Sequence, residues 1–165
     1  MGFDTKWNEV VYKNKLQVNR YPFDRVVSTV FKYFGSVSNR SEINILELGC
    51  GTANNICFIA QEGFNATGIE GSDSAVEIGN KILKEKGLVA DLICQDFTDL
   101  SNIKDQSFDM VIDRGSITHN RRKDIENTIS GVHRILKYKG IFLSHIFSTQ
   151  TSSMKYGTNL GDGSF

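Results

Sequence analysis

The sequence predicts an α/β protein: a Rossmann-like, doubly wound and mostly parallel sheet preceded by an N-terminal helical segment. Three observations carry this expectation. After the polar turn Ser36 to Ser41, short apolar runs alternate with amphipathic stretches, the succession expected of strand and helix. The first run, Ile45-Leu46-Glu47-Leu48, passes directly into the glycine-rich turn Gly49-Cys50-Gly51 and then into a helical stretch. The second run, Ala66-Thr67-Gly68-Ile69, ends on Glu70, nineteen positions beyond Gly51. In doubly wound folds a carboxylate at that place accepts hydrogen bonds from ribose hydroxyls. Turn and acid together describe a nucleotide pocket.

Residues 1–40 read as the helical segment and carry Trp7, Tyr12, Tyr21, Phe23, Phe31, Tyr33 and Phe34. Its clearest helix opens at Pro22, whose fixed φ suits a first turn, and stops at Gly35. Val26, Val27, Val30, Phe31 and Phe34 recur at helical spacing and should pack on the sheet. Trp7, Tyr12, Arg20 and Tyr21 read either as a lid over the pocket or as core aromatics with a surface arginine. The core occupies 41–148, with strands near 43–48, 65–70, 90–94, 108–113 and 140–147. Helices are expected near 53–62, 73–86 and 122–137, broken by Gly63, Gly87 and Gly140, and Asp73 is placed to cap the second. The tail, 149–165, reads as a loop rich in Ser, Thr and Gly.

Composition narrows the function classes. A 165-residue chain has room for one domain that buries roughly two-thirds of its unfolded surface. Hydrophobic content of 39% and charged content of 23% are ordinary for a globular domain. Nineteen basic and nineteen acidic residues cancel, so no global field attracts nucleic acid or an anionic membrane. The short basic runs Arg121-Arg122-Lys123 and Lys137-Tyr138-Lys139 read as solvated helix ends. Cys50, Cys57 and Cys94 are odd in number and form no C-x-x-C pair, which argues against a disulfide framework and fits a reduced, cytoplasmic setting. No long apolar run or secretory leader is visible, and no histidine and carboxylate spacing resembles a metal site.

The glycine turn departs from the dinucleotide fingerprint, because Asn54 stands where a third glycine would allow close helix packing. It reads instead Glu47-x-Gly49-x-Gly51-x-Ala53, which resembles motif I of the class I S-adenosylmethionine-dependent methyltransferases, with Ala53 where the family often has a last glycine. The likeness continues from residue 43 to 119. Glu70, followed by the turn Gly71-Ser72-Asp73, matches the family's ribose-binding acid; Asp96, ending the run from Ala90, matches the acid that meets the adenine amino group. Ser107 to Ser116 resembles the fourth strand and the loop at the methyl-transfer site. The resemblance implies S-adenosylmethionine as cofactor. Glu47, Gly49, Cys50 and Gly51 would take its methionine end, Glu70, Gly71 and Ser72 its ribose, and Asp96 and the Phe97 backbone N–H its adenine, with Tyr21 and Asp113 as further cofactor contacts.

Bland readings stand beside these. Glu47 could cap a neighbouring helix, Glu70 could be an exposed strand end, and Asp96 could cap the turn through Thr98 and Asp99. On the acceptor side, His119 is the general-base candidate because an imidazole titrates near neutrality, and Asp113 is a second catalytic candidate; a lone loop histidine is also commonly structural. His133 and His145 read as structural. The loop Asp113-Arg114-Gly115-Ser116 lacks the N-P-P-Y type sequence of amino-methylating DNA enzymes. The expected activity is methyl transfer to an oxygen or nitrogen of a small metabolite. The alternatives are a cofactor-binding remnant or regulatory module without turnover and an NAD-dependent oxidoreductase. The family's sheet normally has seven strands and five are visible, so the run Ile141 to Phe147 is expected at an uncovered edge, implying truncation or a homo-oligomer.

Overall fold

In the computed structural model, which describes residues 4–148, 156–158 and 161, five parallel strands form one sheet. They are β1 (Asn44–Leu48), β2 (Asn65–Glu70), β3 (Asp91–Cys94), β4 (Phe108–Asp113) and β5 (Leu136–Ser144), in the spatial order β3-β2-β1-β4-β5. Four helices accompany them: α1 (Asp24–Phe34), α2 (Asn54–Gln61), α3 (Asp73–Glu85) and α4 (Arg122–Ile135). The order reverses between β1 and β4, so the loops leaving these strands diverge and open a crevice at their carboxyl ends.

Alternation along the strands divides the core in two. Ile45, Ala66, Met110 and Ile112 meet Val26 and Val30 of α1 and Ile56 and Ile59 of α2 on one face. Leu46, Leu48, Ile69 and Val111 meet Val132 and Ile135 of α4 on the other. Both faces of β1 are therefore covered, as the nearly continuous apolar run of a central parallel strand requires. Gly68 and Gly79 let layers approach closely: a Cβ at Gly68 would lie 2.6 Å from Cys50 Sγ, and one at Gly79 would lie 2.8 Å from Leu92 Cδ1.

Several boundaries differ from expectation for local reasons. The first helix begins at Asp24 because Phe23 is still extended, two positions after Pro22. Asp73 does not cap α3; Ser72 does, its Oγ accepting from the Ala75 N–H. The last helix ends at Ile135, since Leu136 is already extended, and the chain continues directly into β5. Gly140 thus lies inside a strand. Between the pairs Phe108 with Leu136 and Met110 with Ile141 the register shifts, and left-handed Lys139 (φ 61°) takes up the extra length. β5 is an edge strand among the described residues. The tail beyond residue 148 lies almost wholly outside the described residues, and no helix among them is long and apolar enough to cross a membrane.

Ahead of α1, a π-helical turn at Trp7–Tyr12 begins a strap that crosses the crevice. Two staples hold it. Asn8 Oδ1 accepts from Ser72 Oγ (2.7 Å) and the Ser74 N–H (3.2 Å). At the other end, Asn54 Nδ2 donates to the Tyr21 carbonyl (2.8 Å), and Asn55 Oδ1 accepts from the Phe23 N–H (2.9 Å).

Candidate active site

The crevice encloses a cavity of about 360 Å³, floored by the loops after β1, β2, β3 and β4 and roofed by the strap. Its floor begins at Gly49 and Gly51, both at positive φ (65° and 55°). The Gly49 and Cys50 N–H groups donate to the Ile69 carbonyl, which folds the turn back on β2. A Cβ at Gly49 would lie 2.2 Å from Ser116 Oγ, and one at Gly51 would lie 2.9 Å from Tyr12 Oη. Glycine is thus required by conformation and by space.

Glu70 is buried, and each of its carboxylate oxygens holds a backbone group. Oε2 accepts from the Gly51 N–H and Oε1 from the Ser72 N–H, both at 2.9 Å. Burial pushes its carboxyl up, while these N–H groups and that of Gly71 oppose the rise. A carboxylate oxygen accepts more than one bond, so Glu70 can order the two loops and still receive ribose hydroxyls. Gly71 lines the cavity. Ser72 does not; it is fully buried, caps α3 and fastens the strap, so its contribution to the site is indirect.

Glu47 lines the cavity from the end of β1 and is 2% exposed. Asn55 Nδ2 donates to its Oε1 at 2.6 Å, and Oε2 is buried with no hydrogen-bond partner among the described residues. Desolvation pushes this carboxyl up to about 8; the Asn55 bond opposes the rise, nearby Glu70 and Asp113 add to it, and Arg114 counteracts them. An orphaned buried carboxylate oxygen facing a cavity is a place for a ligand cation. Tyr12 sits over the glycine turn, its phenol driven upward first by burial and then by the charges of Glu70, Cys50 and Glu47. Cys50 also lines the cavity; burial pushes its thiol well up, so it remains protonated.

Asp96 and Phe97 line the end beyond β3. Asp96 Oδ1 accepts from the Thr98 N–H and Oγ1, so the turn-cap geometry and the placement in the cavity both hold. His119 lines the opposite side, its ring edge-on to Trp7 (5.4 Å between centroids) and to Phe147 (5.6 Å). Desolvation by this packing lowers the imidazole pKa, with the Asp113 charge opposing, so a neutral ring prevails at pH 7.

Besides Ser72, two expected site residues lie outside the cavity lining. The Asp113 side chain is fully buried outside the cavity lining. Its Oδ1 accepts from the Ser116 and Ile117 N–H groups (2.8 and 3.0 Å) and its Oδ2 from Ser144 Oγ (3.0 Å), so it shapes the loop that carries His119 and cannot touch a ligand directly. Tyr21 is 72% exposed, with its ring beside Arg20 and only its carbonyl fastened to Asn54. Tyr12 and Trp7 of the same strap turn inward instead. Sequence reasoning also passed over Asn54, Asn55 and Phe147, all of which line the cavity. The adjacent amides directly behind the glycine turn were the available signal for the first two.

Crevice, glycine turn and successive strand-end acids thus share one cavity at the switch point of a parallel sheet. Residues 45–140 match the methyltransferase domain family. The chain belongs to that family, and its sheet and helices share the fold of solved methyltransferases. It is 28% identical over 134 residues to a protein named as a methyltransferase in Geobacillus sp. (strain WCH70), covering 80% of this chain and 53% of the relative. It is 33% identical over 110 residues to EEF1A lysine methyltransferase 2 of Homo sapiens, covering 62% and 46%. The chain thus spans about half the length of these curated relatives. The fold matches an S-adenosylmethionine-dependent methyltransferase from Clostridium acetobutylicum ATCC 824, with a TM-score of 0.67 at 20% identity over 93% of this chain and 59% of the other. It also matches the magnesium protoporphyrin IX methyltransferase of Synechocystis PCC 6803 with bound SAM, with a TM-score of 0.62 at 16% identity, covering 79% and 68%.

Proposed function

We propose that the protein transfers a methyl group from S-adenosylmethionine to an oxygen or nitrogen of a small metabolite in the cytoplasm. The observation that carries this is the unpartnered Oε2 of buried Glu47, facing one cavity with Glu70, Asp96 and His119. These residues fit a zwitterionic nucleoside. Glu47 would receive the ammonium of the amino-acid arm, Glu70 the ribose hydroxyls, and Asp96 with the Phe97 N–H the adenine. When bound, S-adenosylmethionine supplies an electrophilic methyl on a sulfonium.

The chain's own work is to position and desolvate. Trp7 and Tyr12 roof the cavity and limit water, and holding two reactants in line contributes about 7 to 11 kcal/mol to lowering such a barrier. Neutral His119 can accept a proton from a hydroxyl as it attacks, or from a protonated amine before its freed lone pair attacks, a role typically adding about a hundredfold to ten-thousandfold. The enclosing roof favours a free small molecule over nucleic acid or a membrane-held acceptor.

Calorimetry with S-adenosylhomocysteine and NAD tests the reading: binding of the first and not the second is expected, and binding of NAD alone overturns it. A second reading is a cofactor-binding module without turnover. Methyl release against a panel of hydroxyl and amine acceptors separates the two.

A further inference from the structure

We propose that Arg114 is a carboxylate-binding residue of the cavity, held ready on the Phe23 ring. Its guanidinium carbon lies 3.9 Å from the Phe23 centroid, and the side chain is half-buried and faces the cavity. No carboxylate lies within 4 Å of it and no protein acceptor takes its N–H groups among the described residues. Arg114 is the one Lys or Arg among the described residues lining a cavity that also holds Asp4, Glu47, Glu70 and Asp96. A guanidinium offers five donors in a planar fork that matches a carboxylate's two oxygens, and stacking fixes the plane without using a donor.

The shelf beneath it is itself anchored. Asn55 is 1% exposed and bonds in two directions, with Oδ1 receiving the Phe23 N–H and Nδ2 reaching Glu47. One buried amide therefore sets both Glu47 and the ring under Arg114, two opposite charges that feel each other but form no ion pair within 4 Å among the described residues. The arrangement suits a ligand presenting both charges or two ligands dividing them. The carboxylate comes either from the cofactor's amino-acid arm or from an acidic acceptor; the second case would make the acceptor an anion. The inference rests on the methyl-transfer reading for the identity of these two sources.

The test uses the full chain and the variants Arg114→Met, which keeps the stem on Phe23, and Arg114→Lys, which keeps charge without the fork. Titrations compare S-adenosylhomocysteine with its decarboxylated analogue S-adenosyl-3-thiopropylamine, and then benzoate with benzamide on protein saturated with S-adenosylhomocysteine. An affinity loss of about ten- to a hundredfold for S-adenosylhomocysteine in Arg114→Met, with the decarboxylated analogue unchanged and Arg114→Lys intermediate, supports the site and assigns it to the cofactor. Unchanged S-adenosylhomocysteine affinity with a benzoate preference that Arg114→Met abolishes supports it and assigns it to the acceptor. Equal losses for both nucleosides, or no loss with no benzoate preference in the wild type, overturn it. Failure of the wild type to bind either nucleoside removes the methyl-transfer reading, and the benzoate comparison on the free protein then decides for or against Arg114 by the same criterion.

Discussion

Replacing Glu47 by glutamine should make the protein more stable at alkaline pH while weakening its ligand site. The folded carboxyl titrates at about 8 against an ordinary value of 4.5, so it is raised. A raised carboxyl favours the folded state fully below the ordinary value and loses that contribution as pH climbs through the folded one. Stability should therefore fall between about pH 4.5 and 8, by at most about 1.4 kcal/mol per pH unit. The interval of about 3.5 pH units sets a ceiling of about 5 kcal/mol. Relaxation and water penetration around a buried charge reduce this to about 2 to 3 kcal/mol. The introduced amide keeps the bond from Asn55 Nδ2 and cannot ionise. At pH 5 the wild-type carboxyl is protonated, so the two side chains are near isosteres and stability should be similar. At pH 8.5 the variant should lead by about 2 kcal/mol or more. Urea unfolding from pH 5 to 9 measures the divergence. Parallel pH curves, or a variant losing ground to wild type above pH 8, would refute the account of Glu47 as a buried acid with one oxygen unpartnered among the described residues. The same substitution should cost S-adenosylhomocysteine about tenfold or more in affinity, because the ligand ammonium loses its counter-charge.

Three further outcomes follow from the geometry. Gly49→Ala places a methyl 2.2 Å from Ser116 Oγ at φ 65°, and denaturant unfolding should show a loss of about 2 to 4 kcal/mol; a loss under about 1 kcal/mol would show that the loop after β4 moves freely. Asn8→Ala removes the bonds to Ser72 and Ser74, so trypsin should cut faster at Lys13 or Lys15 while global stability drops by no more than about 1.5 kcal/mol. If turnover is found, its rate should rise as pH passes a value below 6.5 and then level off, since His119 must be neutral to accept a proton. An acid limb retained in His119→Ala assigns the base elsewhere.

The sheet was legible because its signals are local: apolar runs followed by glycine or acid at Gly49, Glu70 and Asp96 place strand ends within a residue or two. The junction of α4 and β5 was not. Leu136-Lys137-Tyr138-Lys139 contains no breaker, and only pairing with β4 turns the chain into a strand before Gly140. The cavity floor was legible for the same reason as the sheet, while its roof was decided at long range. Aromatic content alone does not tell which ring of the strap turns inward; Asn54 holding the Tyr21 carbonyl leaves that ring outside and Tyr12 over the turn. Asp113 shows a related limit of motif reading, since a strand-end acid can be consumed entirely by its own loop. Asn54, which stands where another fingerprint has its third glycine, has a part of its own in fastening the strap.

The staples over the crevice join residues 32, 33, 64 and 66 positions apart. Contacts so distant in sequence can form only after the intervening strands and helices have condensed. Residues 4–23, synthesised ahead of those elements, must therefore wait for β1, α2 and β2 before they find their place. Held by a handful of polar bonds, they belong to the least protected part of the molecule. Ligand occupancy, by mass action, would then slow amide exchange in residues 4–23 before it altered exchange in the central strands.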